Sequence, residues 1–460
     1  MQFISTRGQA PQTSFSDVLL AGLAPDGGLY LPQSWPQFSP SEIAAFKGQR
    51  YQDVAFAILS RFTAGSFSDA ELRDAIAAAY ADFDAPDIAP LVEIGDGQYL
   101  LELFHGPTLA FKDIALQVLG QLFSRALAKR GGRATIVAAT SGDTGSAAIA
   151  ALGGLANIDV FVMHPRGRVS DVQRLQMTTS AHANVHNIAL EGSFDDAQGI
   201  VKMLFADTAF ADAISLTAVN SINFARIAAQ CVYYFTATAA LGKPVTFVVP
   251  TGNFGDIFAG EAASRMGLDV GRLVIATNAN DILARTLNDG VYESGASHAT
   301  LSPSMDIQVA SNFERALFEA AGRDADWTAA AMSDFSRSRK LALPPAVLEN
   351  LRARYSAFAS DDLETRAAIA AVHKQTGRII DPHTAVGVAA MRKMGKAPSP
   401  VVVLSTAHPA KFPDAVTQAI GSAPPEPKRL AGMKDLPEKL EVLANDPALI
   451  KQFISSRLGS

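Results

Sequence analysis

A single cysteine, Cys231, in 460 residues leaves no intramolecular disulfide and no cysteine-rich metal site. It lies in the apolar helical run Ala-Ala-Gln-Cys-Val-Tyr-Tyr-Phe, the setting of a buried structural thiol rather than of a nucleophile. No apolar run approaches the ~20 residues of a membrane span. The N-terminal Met-Gln-Phe-Ile-Ser-Thr-Arg-Gly also lacks a basic region followed by an apolar core, so a cytoplasmic protein with no membrane partner is expected. Positive charge is not in excess. The 39 Lys and Arg face 45 Asp and Glu, and a net charge of −6 gives no reason to expect nucleic acid as a partner, while small anionic ligands stay open. The dinucleotide fingerprint Gly-x-Gly-x-x-Gly and the Walker pattern are both missing. Charged residues are only 18% of the chain beside 48% hydrophobic, which describes a globular protein without long disordered regions and long enough for two or three domains.

The organising stretch runs from Glu102 to Asp113, Glu-Leu-Phe-His-Gly-Pro-Thr-Leu-Ala-Phe-Lys-Asp. Gly106 and Pro107 signal a turn. Ile114, Val118, Leu122 and Ala126 then recur at helical spacing up to Gly131-Gly132, which places Lys112 at a loop-to-helix junction. The positive helix N-terminus disfavours an ammonium, and Leu109, Ala110 and Phe111 desolvate it. Both effects lower the proton affinity of a lysine, and such a lysine is a nucleophile for carbonyls. Read alone, Lys112 is equally a surface lysine with its stem over apolar neighbours.

Residues 1–95 read as an irregular stretch, dense in turn residues from Leu23 to Pro32, followed by Ala-rich helices around 42–63 and 69–83. Leu91 to Leu103 reads as a hairpin around Gly95-Asp96-Gly97. From Ala134 short apolar runs alternate with amphipathic helices, the α/β pattern of parallel sheets, with strands expected at Thr135–Ala139, Val160–Met163, Val185–Leu190, Ser215–Val219, Phe247–Pro250 and Leu273–Thr277. The catalytic region is expected over 96–420. Residues 421–429, Gly-Ser-Ala-Pro-Pro-Glu-Pro-Lys-Arg, read as a linker to a helical segment within 421–460. The stretch from Asp289 to Pro345 carries no usable motif. His298, His373 and His383 are isolated, with solvated or structural roles expected.

Ligands of such sheets collect at the carboxyl ends of strands. After the first strand, Thr140 to Ser146 offers hydroxyls and glycines that suit a carboxylate or phosphate, or simply cap a helix. After 247–250, Thr251-Gly252-Asn253-Phe254-Gly255-Asp256 makes a phosphate cradle, or an ordinary glycine turn. Ser405 and Thr406 follow the apolar run Val401–Leu404, placed to bond a ligand or to satisfy a strand end. In Asn220 to Arg226, Arg226 either holds an anion bidentately or is an exposed helix residue.

A reactive lysine before a helix, two anion-receptive loops and no metal or nucleotide signature point to a carbonyl cofactor bearing a phosphate, pyridoxal phosphate. At these residues the chain resembles the threonine synthase family of fold-type II pyridoxal-phosphate enzymes, in its longer microbial and fungal form. The matching segments are Ser5 to Gly8, Gly22 to Pro32, His105 to Asp113, Ser141 to Gly145, Asn220 to Arg226, Gly252 to Asp256 and Ser405 to Phe412. The resemblance implies two α/β domains with mostly parallel sheets behind a largely helical N-terminal segment. It also implies that Lys112 carries the cofactor covalently, that Gly252, Asn253, Phe254, Gly255 and Asp256 bind its phosphate, and that Thr406 faces its pyridine nitrogen. Asp143 stands where many fold-type II enzymes have asparagine beside the ring hydroxyl. Ser141 and Thr144 match positions near the substrate carboxylate, and Asn220, Ser221 and Arg226 match positions that hold a substrate phosphate. The implied reaction turns O-phospho-L-homoserine and water into L-threonine and phosphate. The alternatives are another fold-type II lyase, such as a serine or threonine dehydratase, and a non-catalytic small-anion binding protein, which the presence of Lys112 disfavours.

Overall fold

The computed structural model describes residues 1–140, 142–217, 220–397 and 400–459. At the N-terminus Gln2–Ser5 (β1) pairs antiparallel with both Thr13–Ser14 (β2) and Tyr30–Pro32 (β3), a small sheet where an irregular stretch was expected. Strands of two to four residues are too short to show alternation, and Phe3, fully buried, is the only strong inward marker of β1. The helix expected over 42–63 is two helices, Pro40–Ala45 and Tyr51–Thr63, because Gly48 adopts φ 75° between them. Asp69–Tyr80 follows, opened by a Ser68/Glu71 capping box. The hairpin forms as read, Leu91–Gly95 (β4) antiparallel to Gln98–Glu102 (β5).

The chain is α/β. Ala134–Ala139 (β6), Ile158–Pro165 (β7) and Val185–Glu191 (β8) contain the first three expected strands; of the fourth, Leu216–Thr217 (β9) is strand, Ser215 is a turn residue at φ 51°, and 218 and 219 lie outside the described residues. Val245–Pro250 (β10) and Val270–Thr277 (β11) contain the other two, and Val291–Glu293 (β12) with Lys340–Ala342 (β13) makes a short antiparallel ribbon. Tyr355–Ala359 (β14), Val401–Ser405 (β15) and Glu441–Ala444 (β16) complete the strands among the described residues. One sheet has the order β14-β11-β10-β15-β5-β4, parallel except for β4; the other, β16-β8-β7-β6-β9, is parallel throughout. Near-continuous burial along β7 and β10 is what a strand covered by helices on both faces requires.

Strand β16 precedes the helix of the C-terminal segment and was not anticipated from the sequence. It adds to β8 in parallel, and the helix Pro447–Leu458 seats Ile450 and Ile454 against Phe161, Ile188 and Leu204 in the core of that sheet. The window is rich in charge because β16 is an edge strand with three of its four residues exposed, so it carries no buried-strand signature. Among the described residues no helix is long and apolar enough to cross a membrane.

Candidate active site

The helix Lys112–Lys129 packs its apolar face through Ile114, Val118, Leu122 and Ala126, all fully or nearly fully buried, and this anchors its first turn. The loop before it is pinned from both sides. Asp113 accepts from Thr108 N at 2.8 Å and Thr108 Oγ1 at 2.6 Å, and Phe111 N donates to the Thr406 carbonyl at 2.8 Å. Lys112 is buried at this junction, not on the surface, with Nζ 4.8 Å from the Phe111 ring centroid. Burial lowers its pKa; Asp143 opposes that shift, and the cationic Lys411 and Arg226 reinforce it.

A cleft of about 640 Å³ opens in front of Lys112. Thr144, Ser221, Arg226, Thr406 and the whole of Thr251–Asp256 line it. The structure thus brings together residues from the ends of β6, β9, β10 and β15, the carboxyl ends at which ligands of parallel sheets are bound. The 251–256 loop leads into the helix Gly255–Arg265 through Phe254 at φ 65°, and Asn312 holds its shape by donating from Nδ2 to the Asn253 carbonyl at 3.0 Å. A Cβ on Gly252 would stand 2.9 Å from the Ser304 carbonyl oxygen, so the glycine is needed for close approach of two backbones.

Arg226 is buried in the first turn of the helix Phe224–Leu241, capped by Asn223, and is no exposed helix residue. Its Nε and Nη1 have no hydrogen-bond partner among the described residues, and burial pushes the guanidinium down to about 10 against the opposing pull of Tyr233 and Asp256. It stays charged at neutral pH. A buried cation with two unbonded donors, on a residue that lines a cleft, calls for an anion there. Asp256 is pushed up to about 6 by burial, against hydrogen bonds from Tyr233 and Tyr234, and its Oδ2 is likewise unpartnered among the described residues.

Two expected residues sit differently. Asn220 does not line the cleft; its Oδ1 accepts from Ile222 N at 3.1 Å and shapes the turn that presents Ser221. Asp143 lies behind the cleft wall, where Oδ1 accepts from Lys411 Nζ at 2.8 Å and Gln173 Nε2 at 2.9 Å, and Oδ2 accepts from Ser304 Oγ at 3.1 Å. Burial alone would raise the Asp143 carboxyl, but Lys411 and Lys112 outweigh it and hold it well below the carboxylate range. Ser141 lies outside the described residues.

Sequence reasoning missed Ser304, Met305 and His383, which also line the cleft. His383, grouped above with isolated histidines, accepts from Ser304 N at Nε2 (3.2 Å), so its Nδ1 carries the proton and donates to Asp381 at 2.9 Å. The only sequence signal for it was Asp381-Pro382, a helix start with its N-cap.

A nucleophilic amine, an unsatisfied guanidinium and a glycine loop at a helix N-terminus, all on one cleft, fit an aldehyde that bears a phosphate. The comparisons agree. The chain matches the family models described as "Threonine synthase N terminus" over residues 2–80, "Pyridoxal-phosphate dependent enzyme" over 90–347 and "Threonine synthase, C-terminal" over 384–454. It is 50% identical to a threonine synthase of Pseudomonas aeruginosa, covering 99% of this chain and 98% of that one. A crystal structure of PLP-bound threonine synthase from Brucella melitensis superposes with a TM-score of 0.98 at 50% identity, covering 99% of both chains. The crystal structure of threonine synthase from yeast superposes with a TM-score of 0.95 at 38% identity, covering 100% of this chain and 99% of that one. With half of its residues shared along its full length with one such enzyme, and with the cleft built as that chemistry requires, the chain belongs to the threonine synthase family of pyridoxal-phosphate-dependent enzymes.

Proposed function

We propose that Lys112 is the residue that carries pyridoxal phosphate and moves the reacting protons, and that Arg226 with Ser221 holds the phosphate of O-phospho-L-homoserine as it is converted with water to L-threonine and inorganic phosphate. The observation that carries this reading is the buried, unpartnered Arg226 guanidinium on the same cleft as Lys112 and the 252–255 loop. Two phosphates must be held at once. The glycine loop at the N-terminus of the helix Gly255–Arg265 suits the cofactor's, and the N-terminal turn of the helix Phe224–Leu241, with Ser221 and Arg226, suits the substrate's. Thr406 offers a neutral hydroxyl to the pyridine nitrogen, and Thr144 a hydroxyl to the substrate carboxylate.

When bound, the cofactor supplies the electron sink that lets protons leave the substrate's carbon skeleton and phosphate leave from its γ-carbon. The chain supplies the rest. Lys112 Nζ would take the α-proton and return it, and burial, which lowers its pKa, favours the unprotonated amine. The Arg226 and Ser221 pair fixes the leaving phosphate, and the bulk of Phe111, Phe254 and Met305 narrows the cleft to which water has access.

The purified protein is expected to release threonine and inorganic phosphate in equal amounts from O-phospho-L-homoserine, with far weaker activity on serine or threonine; efficient formation of pyruvate from serine without phosphate release would establish a dehydratase instead. Arg226→Ala is expected to lower kcat/KM for phosphohomoserine by about 1.5–3 kcal/mol of lost charge-assisted bonding while the cofactor stays bound. Unchanged kinetics would place the substrate phosphate elsewhere. Gly252→Val drives a branched side chain into the Ser304 carbonyl and is expected to weaken cofactor affinity by about 1–3 kcal/mol. Cofactor titration beside thermal unfolding of the apo protein checks this, and early melting with unchanged affinity would make Gly252 a structural turn only.

A further inference from the structure

Behind the wall that carries Lys112 lies a second buried lysine that the proposed chemistry does not use. Lys411 ends the short turn Pro409–Lys411 and is 0% exposed. Its ammonium donates to Asp143 Oδ1 at 2.8 Å and to the Thr108 carbonyl at 2.7 Å. The other oxygen of Asp143 stands 3.8 Å from Lys112 Nζ, outside hydrogen-bond reach. Asp143 therefore serves two lysines unequally, and Lys411 has the direct bond. The asymmetry has chemical weight, because a buried carboxylate stabilises the charged form of the amine it pairs with, and a charged Lys112 has no lone pair with which to react. Were Lys112 the only cation of Asp143, the pair would hold its proton in place.

We propose that Lys411 is a positioning residue for the reacting lysine: as the ion-pair partner of Asp143 it keeps that carboxylate anionic and fixed beside Lys112, while leaving the Lys112 amine free to lose its proton. This rests on the reading above that Lys112 reacts with the cofactor. It also gives the aspartate at position 143 a structural basis, since an acid buried there needs a dedicated cation and Lys411 supplies it.

The other charged or titratable groups facing the two lysines do not take over this part. Asp113, on the helix of Lys112, is engaged by Thr108 N and Oγ1. Asp256 is engaged by Tyr233 and Tyr234. Arg226 acts on Lys112 with the same sign as Lys411, His383 reaches the pair only through the field at Asp143, and His408 lies beside Lys411 with its charged form disfavoured by burial.

The test is a charge cycle in the full-length protein, read as the pH dependence of covalent capture of added pyridoxal phosphate by the cofactor-stripped chain, followed by visible absorbance. Lys411→Met leaves Asp143 to Lys112, and the capture midpoint is expected to rise by about one pH unit, a tenfold loss of free amine at a given pH. Asp143→Asn leaves the Lys411 charge unmatched and is expected to lower the midpoint. The double variant Asp143→Asn/Lys411→Met, neutral at both positions, is expected to return to within about 0.3 unit of the parent, and Lys411→Arg to stay near it. A folded Lys411→Met protein with the parent midpoint overturns the proposal. So do coincident midpoints for Asp143→Asn and the double variant, and that comparison decides alone should Lys411→Met fail to fold. A Lys112→Ala chain that still captures the cofactor refutes the reading of Lys112 itself. Unmoved midpoints with Lys112 labelled refute only the part given to Lys411.

Discussion

Replacing Lys112 by alanine is expected to abolish turnover, by at least about three to four orders of magnitude, while the protein stays folded. The size of the loss follows from one amine serving as covalent anchor and as proton carrier, so neither part survives the change. The intact fold follows from the environment. Among the described residues Lys112 Nζ has no partner nearer than Asp143 at 3.8 Å, and removing a buried amine without a close partner there frees the chain of a desolvated polar group without opening a carbonyl or carboxylate to vacancy. Asp143 retains Lys411, Gln173 and Ser304. Far-UV dichroism and thermal unfolding should therefore match the parent while phosphate release disappears. Borohydride reduction of the parent enzyme followed by peptide mapping should place the pyridoxyl mass on the Lys112 peptide, and a label on Lys411 or any other lysine would defeat the assignment.

Arg315→Ala is expected to be the most damaging change outside the cleft. The side chain is 0% exposed in the helix Phe313–Ala320, and it bonds three separate pieces of chain: the Tyr30 carbonyl at 3.1 Å, the Ile222 carbonyl at 2.7 Å and the Asn312 side chain. Burial pushes its guanidinium down to about 9, so it is still charged at neutral pH. Alanine leaves a buried and a part-buried carbonyl without this donor and opens a cavity the size of most of an arginine, together about 3–5 kcal/mol of folding stability. Asn312 also loses its anchor, and Asn312 Nδ2 bonds the carbonyls of Ser221 and Asn253, one on each of two loops that line the cleft. The urea midpoint should fall and the KM for phosphohomoserine should rise together. A lowered midpoint with unchanged KM would separate the two loops from this arginine.

Those two residues mark where the sequence was informative and where it was silent. Lys112 was legible because its signals are local: a turn, a helix period and apolar neighbours, all within a dozen residues. The 251–256 loop was legible for the same reason, as glycines between an apolar run and a helix. Arg315 sits in the stretch that offered no motif, because its meaning lies in carbonyls 285 and 93 residues away. Its neighbour Glu314 likewise takes a hydrogen bond from Thr6, 308 residues distant, at 2.6 Å. Lys411 reads as an ordinary lysine until Asp143 is placed beside it. Strand β16 was hidden by its exposure, which gives an edge strand the composition of a surface.

The pairing of β5 with β15 has a consequence for how such a protein comes into being on the ribosome. The loop that presents Lys112 is held by Thr406 and by Lys411, which grips Thr108 across 303 residues of chain. Strands β6, β7 and β8 are contiguous in sequence and can associate while synthesis is still under way, whereas contacts of such high sequence separation form late and slowly. A nascent chain that has emerged as far as β14 already contains Lys112, the glycine loop and Arg226, but the bonds from Phe111 to Thr406 and from Lys411 to Thr108 are still to form. Of the contacts that hold this loop, those from β15 and the turn after it are the last to become available during synthesis.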